Sequence, residues 1–378
     1  MKIDIITLSC AMNYGAVLQT YGLYAFMEDN GFTTEVIDYI PRHYNFDAPD
    51  YADKYLEHTR LWKKNFVLRY MWKKIVFSKI LQDRKVFRKF LLNNVTLTKT
   101  YYPGDELETN PPIADIYVTG SDQVWNSDYF WEVTIEKPYY LDFLPDDTYR
   151  IAYASSFGKE KLSSTEAPLV KECLSKYSYI SVREKSGLQI LKSIGLNGIE
   201  MADPVILCNL EKYVNLADSA GITERDYILL FMIGFNRKLY RMADKLAREN
   251  KKKLITLIPS NIYRNIYAKG KIILPSVEEW CGYMKNASYI ITNSFHGSVF
   301  AILFNRNFSS CMAAGYNGRI YNLLDKTGLL ERTAGEEEYN KIKQQYDNEI
   351  DYFKINKKVN DWRAYSQKWL LSSIRDSM

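Results

Sequence analysis

Apolar and polar positions along the chain fall into two kinds of pattern, short runs of strand type and longer stretches with a helical face, and the two alternate. Ile3 to Leu8 reads as a first strand, "NYGAVLQTYGLYAFMEDNGF" as a helix ending near Gly31, and "TTEVIDY" as the next strand, which opens a βαβ unit. Strand-type runs return at "ADIYVTG", "RIAYASS", "YSYISV" and "GIEMADP", with helical stretches near 163–175 and 184–194. A second set starts at "DYILLFMIG" and continues through a helix near 238–250, "KKLITLIP", "GKIILP", a helix near 276–286 and "ASYIIT". It closes with a buried helix after His296 in "SVFAILF", then "NFSSCM" and a helix near 318–330.

This alternation predicts an α/β protein with two mostly parallel sheets covered by helices. A chain of 378 residues exceeds what one core usually supports, so two domains are expected. The pattern divides it into a Rossmann-like domain over 1–208 with a helical insertion at about 50–92, a second over 209–334, and a helical tail over 335–378. The boundary falls between Pro204 and Arg225, where "DSAGITER" reads as a surface linker. Two such domains facing each other form a cleft, and ligands of these sheets bind beyond the carboxyl ends of the strands.

Composition narrows the class. Hydrophobic residues at 47% and charged residues at 25% describe a soluble globular protein. No apolar run is long enough to span a bilayer, and "MKIDIITLSC" lacks a cleavage pattern, so a cytoplasmic location is expected. The cysteines Cys10, Cys173, Cys208, Cys281 and Cys311 are scattered singly and read as buried free thiols. No ligand cluster suggests a metal. Net charge is only +5, yet between Arg60 and Lys89 eleven basic residues face a single acid, Asp83, which leaves the rest of the chain net acidic. Aromatic residues interleave that basic segment, as in a helix resting on an anionic membrane surface. An amphipathic helix with solvated lysines fits equally, and no nucleic-acid-reading motif accompanies the charge.

Five segments that should follow strands carry chemistry-capable residues: "SCAMNYG", "TGSDQVWN", "SSFG", "VREKSG" and "TNSFHG". Together with "NYGAVLQTYGL", "ADPVIL", "NSFHGSVFAILF" and "GRIYNLLDKTGL", their order and spacing resemble the polysaccharide pyruvyl transferases. The resemblance implies a fold of GT-B type. It also implies transfer of a pyruvyl group from phosphoenolpyruvate to two hydroxyls of a sugar, closing a cyclic ketal with release of phosphate, and needs no cofactor. The acceptor implied is a lipid-linked oligosaccharide at the membrane's inner face.

The residues can be weighed against that chemistry. An anionic donor needs positive charge and backbone amides, both offered by a helix N-terminus. In "NSFHG", Ser294 reads as the cap and Gly297 as the place where a side chain would block an anion. Protonation of the methylene carbon calls for an acid such as His296, whose alternative role is a packed helix-start histidine. Arg183 matches the position where the family is expected to bind donor, with an ion pair to Glu184 or another acid as its alternative. Glu184 itself reads as a first-turn helix acid.

Asn13, Tyr14 and Gly15 lie at the first βα turn and are candidate cleft residues. Asp122 is a candidate base or hydroxyl ligand, Gln123 and Asn126 are candidate sugar hydrogen-bonders, and Trp125 is a candidate stacking face. Arg319 is a second candidate anion ligand. Some members of the family carry an arginine two residues before the histidine, where this chain has Ser294. The chief rival reading is a GT-B glycosyltransferase using a nucleotide sugar, and a non-catalytic saccharide-binding protein is a third.

Overall fold

A computed structural model describes residues 1–45, 48, 67, 70, 74, 77–104, 106–130, 133–260, 271–312 and 317–377. Arg60, Lys63, Lys64, Arg69 and Lys73 of the basic segment lie outside the described residues.

The first sheet holds β1 (Lys2–Ile6), β2 (Thr33–Tyr39), β3 (Leu97–Tyr101), β4 (Ile116–Thr119), β5 (Arg150–Ser155), β6 (Tyr179–Val182) and β7 (Ile199–Glu200). Their order is 3-2-1-4-5-6-7 and every pairing is parallel. Helices α1 (Tyr14–Asp29), α2 (Ser78–Asn94), α3 (Glu166–Leu174) and α4 (Lys185–Ser193) accompany it. Two short helices, α5 (Pro204–Leu207) and α6 (Leu210–Ser219), then lead to the second half. Asp218 and Ser219, which had read as the start of a linker, are the last residues of α6.

The second sheet holds β8 (Tyr227–Phe231), β9 (Lys253–Leu257), β10 (Lys271–Ile273), β11 (Tyr289–Thr292), β12 (Asn307–Met312) and β13 (Thr333–Gly335) in the order 10-9-8-11-12-13, again all parallel. Its helices are α7 (Arg237–Glu249), α8 (Val277–Asn286), α9 (Phe295–Leu303) and α10 (Gly318–Thr327), followed by α11 (Tyr339–Asp347) and α12 (Tyr352–Arg375). "SVFAILF" is thus helical. A Ser294 cap in front of it, accepting from the Gly297 amide at 3.2 Å, starts a helix where apolar content alone would allow a strand.

Both sheets reverse direction at the same place, between β1 and β4 in one and between β8 and β11 in the other, where doubly wound sheets open a crevice. One continuous apolar core runs through the two halves. Tyr14 pins them: its ring stacks on Trp280 at 5.4 Å and 10°, and its hydroxyl donates to the Pro275 carbonyl at 2.8 Å. The Ser260 hydroxyl donates to Asp83 of α2 at 2.6 Å. From the tail, α12 returns to the first half, where Arg363 Nε and Gln367 Nε2 donate to the carbonyls of Ile206 and Leu207 at 2.6 and 2.8 Å.

Candidate active site

The two crevices meet, and the residues that follow their strands form one buried cluster. After β1 comes Asn13, which caps α1 by accepting from the Gly15 amide at 2.9 Å. After β11 come Phe295 and His296, in the first turn of α9. A Cβ added to Gly15 would lie 2.0 Å from His296 Nδ1 and 2.2 Å from Cγ, so the bare glycine is the floor on which the imidazole rests. Gly15 therefore serves the histidine by its lack of a side chain.

On its other side His296 Nε2 stands 3.4 Å from Asp203 Oδ2. Asp203 follows β7 and caps α5, its Oδ1 accepting from the Val205 amide at 3.0 Å. The same Oδ2 accepts from Arg183 Nη1 at 2.8 Å. Arg183 follows β6, is 2% exposed, and lies with its Cζ 4.6 Å from the Phe295 ring centroid. Burial pushes the Asp203 carboxyl up, but His296 and Arg183 outweigh burial and hold it below the usual carboxylate range. Burial likewise disfavours the Arg183 charge, and Asp203, Asp122 and Glu184 more than restore it.

Asp203 is the residue that ties the arginine to the histidine. In "ADPVIL" an aspartate before proline reads only as a helix cap, and it does fill that role with one oxygen while the other serves the cluster.

Arg183 is bound up in acids. Besides Asp203 it lies 3.5 Å from Asp122 through Nη2 and 3.6 Å from Glu184 through Nε. Asp122 occupies left-handed backbone, φ 71°, where an aspartate is tolerated better than most residues, and its carbonyl accepts from the Ser156 amide at 3.0 Å. Glu184, expected as a first-turn helix acid, immediately precedes α4 and is 1% exposed; its Oε1 accepts from Ser156 Oγ at 2.5 Å, and its Oε2 is the atom that faces Arg183 Nε.

Several other expectations change. Trp125 is 1% exposed, stacked on Tyr140 at 5.6 Å, with Nε1 donating to the Tyr139 carbonyl at 3.2 Å; it is core and offers no face to a sugar. Tyr14 is fully buried at the junction of the halves and lines no cleft. The space beside Gly297 is filled by Thr292 Oγ1 and Phe231, 2.3 and 3.0 Å from where a Cβ would sit, so its bareness serves packing and leaves no room for an anion.

Gln123 and Asn126 are buried too. Asn126 caps the turn after it, accepting from the Asp128 amide at 3.1 Å. With its amide oxygen turned toward α10, Gln123 accepts from both Nη atoms of Arg319 at 3.0 Å. Gly158, φ +63°, leaves the space for both amides: a Cβ there would lie 2.0 Å from the end of the Gln123 amide and 2.6 Å from Asn126 Nδ2. Arg319 is thus a partly exposed guanidinium brought across the cleft by the first turn of α10, with no carboxylate partner among the described residues. No group of three His, Cys, Asp or Glu side chains among the described residues is placed to hold a metal ion.

Solved structures share the fold. UDP-GlcNAc 2-epimerase from Neisseria meningitidis, solved bound to UDP-GlcNAc, superposes with a TM-score of 0.51 at 10% identity over 100% of both chains. UDP-N-acetylglucosamine 2-epimerase from Rickettsia bellii gives 0.52 at 11% identity, over 99% of this chain and 96% of that one. At such identity the likeness is one of fold, and the fold is of GT-B type. No curated protein matches the chain. The model of the polysaccharide pyruvyl transferase family matches residues 13–311, which takes in both crevices and the whole cluster. The chain belongs to the polysaccharide pyruvyl transferase family, and it is a transferase.

Proposed function

We propose that this protein transfers the pyruvyl group of phosphoenolpyruvate to two hydroxyls of a sugar in a cell-surface polysaccharide precursor. The observation that carries this reading is the buried meeting of His296 with Asp203 across the two halves, at the N-terminal turn of α9. Ketal formation starts with a proton delivered to the methylene carbon of the enol, which becomes the methyl group. His296 supplies it, and ionised Asp203 is the partner an imidazolium would hydrogen-bond. A sugar hydroxyl then attacks the cationic carbon and gives its proton back to His296, and a second hydroxyl closes the ketal as the C–O bond to phosphate breaks, its proton leaving with the phosphate. The donor's anionic groups would meet Arg319 and the first-turn amides of α9 other than that of Gly297, which the Ser294 cap already holds.

The acceptor under this reading is a lipid-linked capsular or exopolysaccharide unit at the inner face of the membrane. Support comes from α2, which buries Ile80, Phe87, Phe90 and Leu91 while exposing Lys79, Lys85 and Lys89 on its outer side. None of the three lysines makes an ion pair among the described residues.

Incubation with labelled phosphoenolpyruvate and a saccharide panel should transfer label to sugar and release phosphate, and His296→Ala should abolish both. Turnover of a nucleotide sugar without any use of phosphoenolpyruvate would establish the glycosyltransferase reading in its place.

A further inference from the structure

His296 is held on three sides, and together they decide which of its ring nitrogens is free to react. One face rests on Gly15: the Cβ that glycine lacks would meet Nδ1, Cγ and Cβ of the histidine at 2.0, 2.2 and 2.7 Å, a small spread that puts it over the ring and not in its plane. The Phe295 ring packs against the imidazole edge to face, at 5.0 Å and 83°. Nε2 is fully buried and faces Asp203 Oδ2 at 3.4 Å, so the 4% of surface that His296 keeps lies elsewhere. Nδ1 makes no hydrogen bond among the described residues and is not one of the fully buried atoms.

Asp203 cannot turn to suit the ring. Its Oδ1 accepts from the Val205 amide at 3.0 Å and its Oδ2 from Arg183 Nη1 at 2.8 Å. Ser121 Oγ also lies 3.4 Å from Oδ2, but it has one hydrogen and gives it to the Ala154 carbonyl at 2.7 Å. Burial acts to raise this carboxyl, yet His296 and Arg183 prevail and keep it ionised, so it can only accept. A neutral imidazole has one N–H and one lone pair. A lone pair on Nε2 would face a carboxylate oxygen out of reach of water, which is repulsive, whereas a hydrogen there makes the same contact attractive. The neutral ring therefore carries its hydrogen on Nε2 and its lone pair on Nδ1. The 3.4 Å separation exceeds an ordinary hydrogen bond, as is common for catalytic pairs before substrate binds.

We propose that Asp203 is the positioning residue that fixes the tautomer of His296, so that Nδ1 is the atom that exchanges a proton with substrate. The proposal rests on the pyruvyl-transfer reading and names its reacting atom. In that reaction the Nδ1 hydrogen passes to the methylene carbon, the electron pair of the C=C bond forms the new C–H bond, and Nδ1 keeps the pair it had shared with hydrogen. Nε2–H stays with Asp203 throughout. Nδ1 then takes the proton of the attacking sugar hydroxyl. The methylene carbon is therefore received in the plane of the ring beyond Nδ1, beside the Gly15 floor.

The chain has only His43, His58 and His296, so the full-length protein labelled with heavy nitrogen in its histidines gives a readable long-range proton–nitrogen NMR spectrum, with His296 identified by what His296→Gln removes. Recorded well above the ordinary imidazole pKa of about 6.5, wild type should show the hydrogen on Nε2 and a bare Nδ1. A hydrogen on Nδ1 would overturn the proposal. Asp203→Asn replaces the acceptor-only carboxylate and should let the tautomers mix or reverse, with turnover slowed on the order of 10⁴-fold, the loss expected of a catalytic histidine in the wrong tautomer. An unchanged tautomer in the folded variant would reduce Asp203 to a helix cap and sink the positioning role; should the variant not fold, the wild-type spectrum decides alone. Phosphoenolpyruvate added to wild type should move the Nδ1 resonance more than that of Nε2, and the opposite order would also overturn the assignment. If phosphoenolpyruvate moves neither and is not consumed, the pyruvyl-transfer reading fails while the free-protein spectrum still decides the tautomer, so the two failures separate.

Discussion

Gly15→Ala is the sharpest perturbation of the cluster, because helix propensity and the His296 contact pull it in opposite directions. Gly15 is the second residue of α1, and alanine in a helix is favoured over glycine by about 0.5–1 kcal/mol. Its Cβ, however, would lie 2.0 Å from His296 Nδ1, 2.2 Å from Cγ and 2.7 Å from Cβ. Neither backbone yields easily: α1 is held by the Asn13 cap and the Tyr14 hydroxyl, α9 by the Ser294 cap. Relief requires the imidazole to turn away from Asp203, and overpacking of this kind costs about 1–3 kcal/mol. In a His296→Ala background the obstacle is gone and the same substitution should stabilise by its propensity alone. Urea unfolding of the four proteins at pH 7 should then show a coupling of at least about 1.5 kcal/mol between the two sites. Additive effects, or stabilisation by Gly15→Ala with His296 present, would refute the contact. Under the pyruvyl-transfer reading turnover should fall as well, by roughly 100-fold for a displaced general acid.

Asp203→Asn breaks a buried pair and should destabilise by about 3–5 kcal/mol at pH 7. Because the folded-state pKa of Asp203 is depressed, its contribution is complete above the ordinary value of 3.8 and is lost as pH falls below it, so the wild-type advantage should shrink between pH 4 and pH 2; parallel stability curves would contradict the pairing. Asp4 shows the opposite sign. Burial lifts its carboxyl from 3.8 to about 6, so native stability declines as pH rises from 3.8 to 6, and Asp4→Asn should gain up to about 3 kcal/mol at pH 7 and little at pH 4. Thermal melts at both pH values check this, and an equal gain at both would discount it. At the outer face of α2, replacing Lys79, Lys85 and Lys89 with glutamine should weaken binding to phosphatidylglycerol vesicles about 100-fold at low salt, at about 1 kcal/mol per lysine, without changing turnover on a soluble acceptor. Vesicle binding equal to wild type would retire the membrane role of that helix.

Much of the fold was legible because a parallel α/β chain writes its strands as short apolar runs and its helices as faces, one after the other. The run "YILLF" is buried at every position in β8, and "YIIT" in β11, as strands covered on both sides must be. The edge strand β3 was harder to see, since "LTKTY" is polar and half-exposed and follows the basic insertion. In the site, the positions of Arg183, Ser294 and His296 followed from their places after strands. Their partners did not. Asp203 lies 20 residues from Arg183 and reaches His296 only when the second sheet docks on the first. The errors over Tyr14 and Trp125 share one cause: residue type fixes the size and polarity of an aromatic ring but not which side of a loop it faces.

Ser294 acquires a different meaning once the charges of the cluster are placed. Arg183 and a protonated His296 face Asp122, Glu184 and Asp203, so the buried group is net negative even with the histidine charged. A donor carrying both carboxylate and phosphate cannot be held there by Arg183 alone. Ser294 is 1% exposed and spends its hydroxyl on the α9 cap, so a guanidinium at that position would need both the cap and space the packing does not leave. If phosphoenolpyruvate is the donor, a candidate for its second cation is Arg319, which the first turn of α10 brings against Gln123. Its placement depends on the contacts that dock α10 against the first half, Asp325 with Lys185 and Asn322 with Glu200. Under the pyruvyl-transfer reading, donor binding would therefore depend on how α10 docks against the first half, whereas an arginine on α9 itself would carry its charge beside His296.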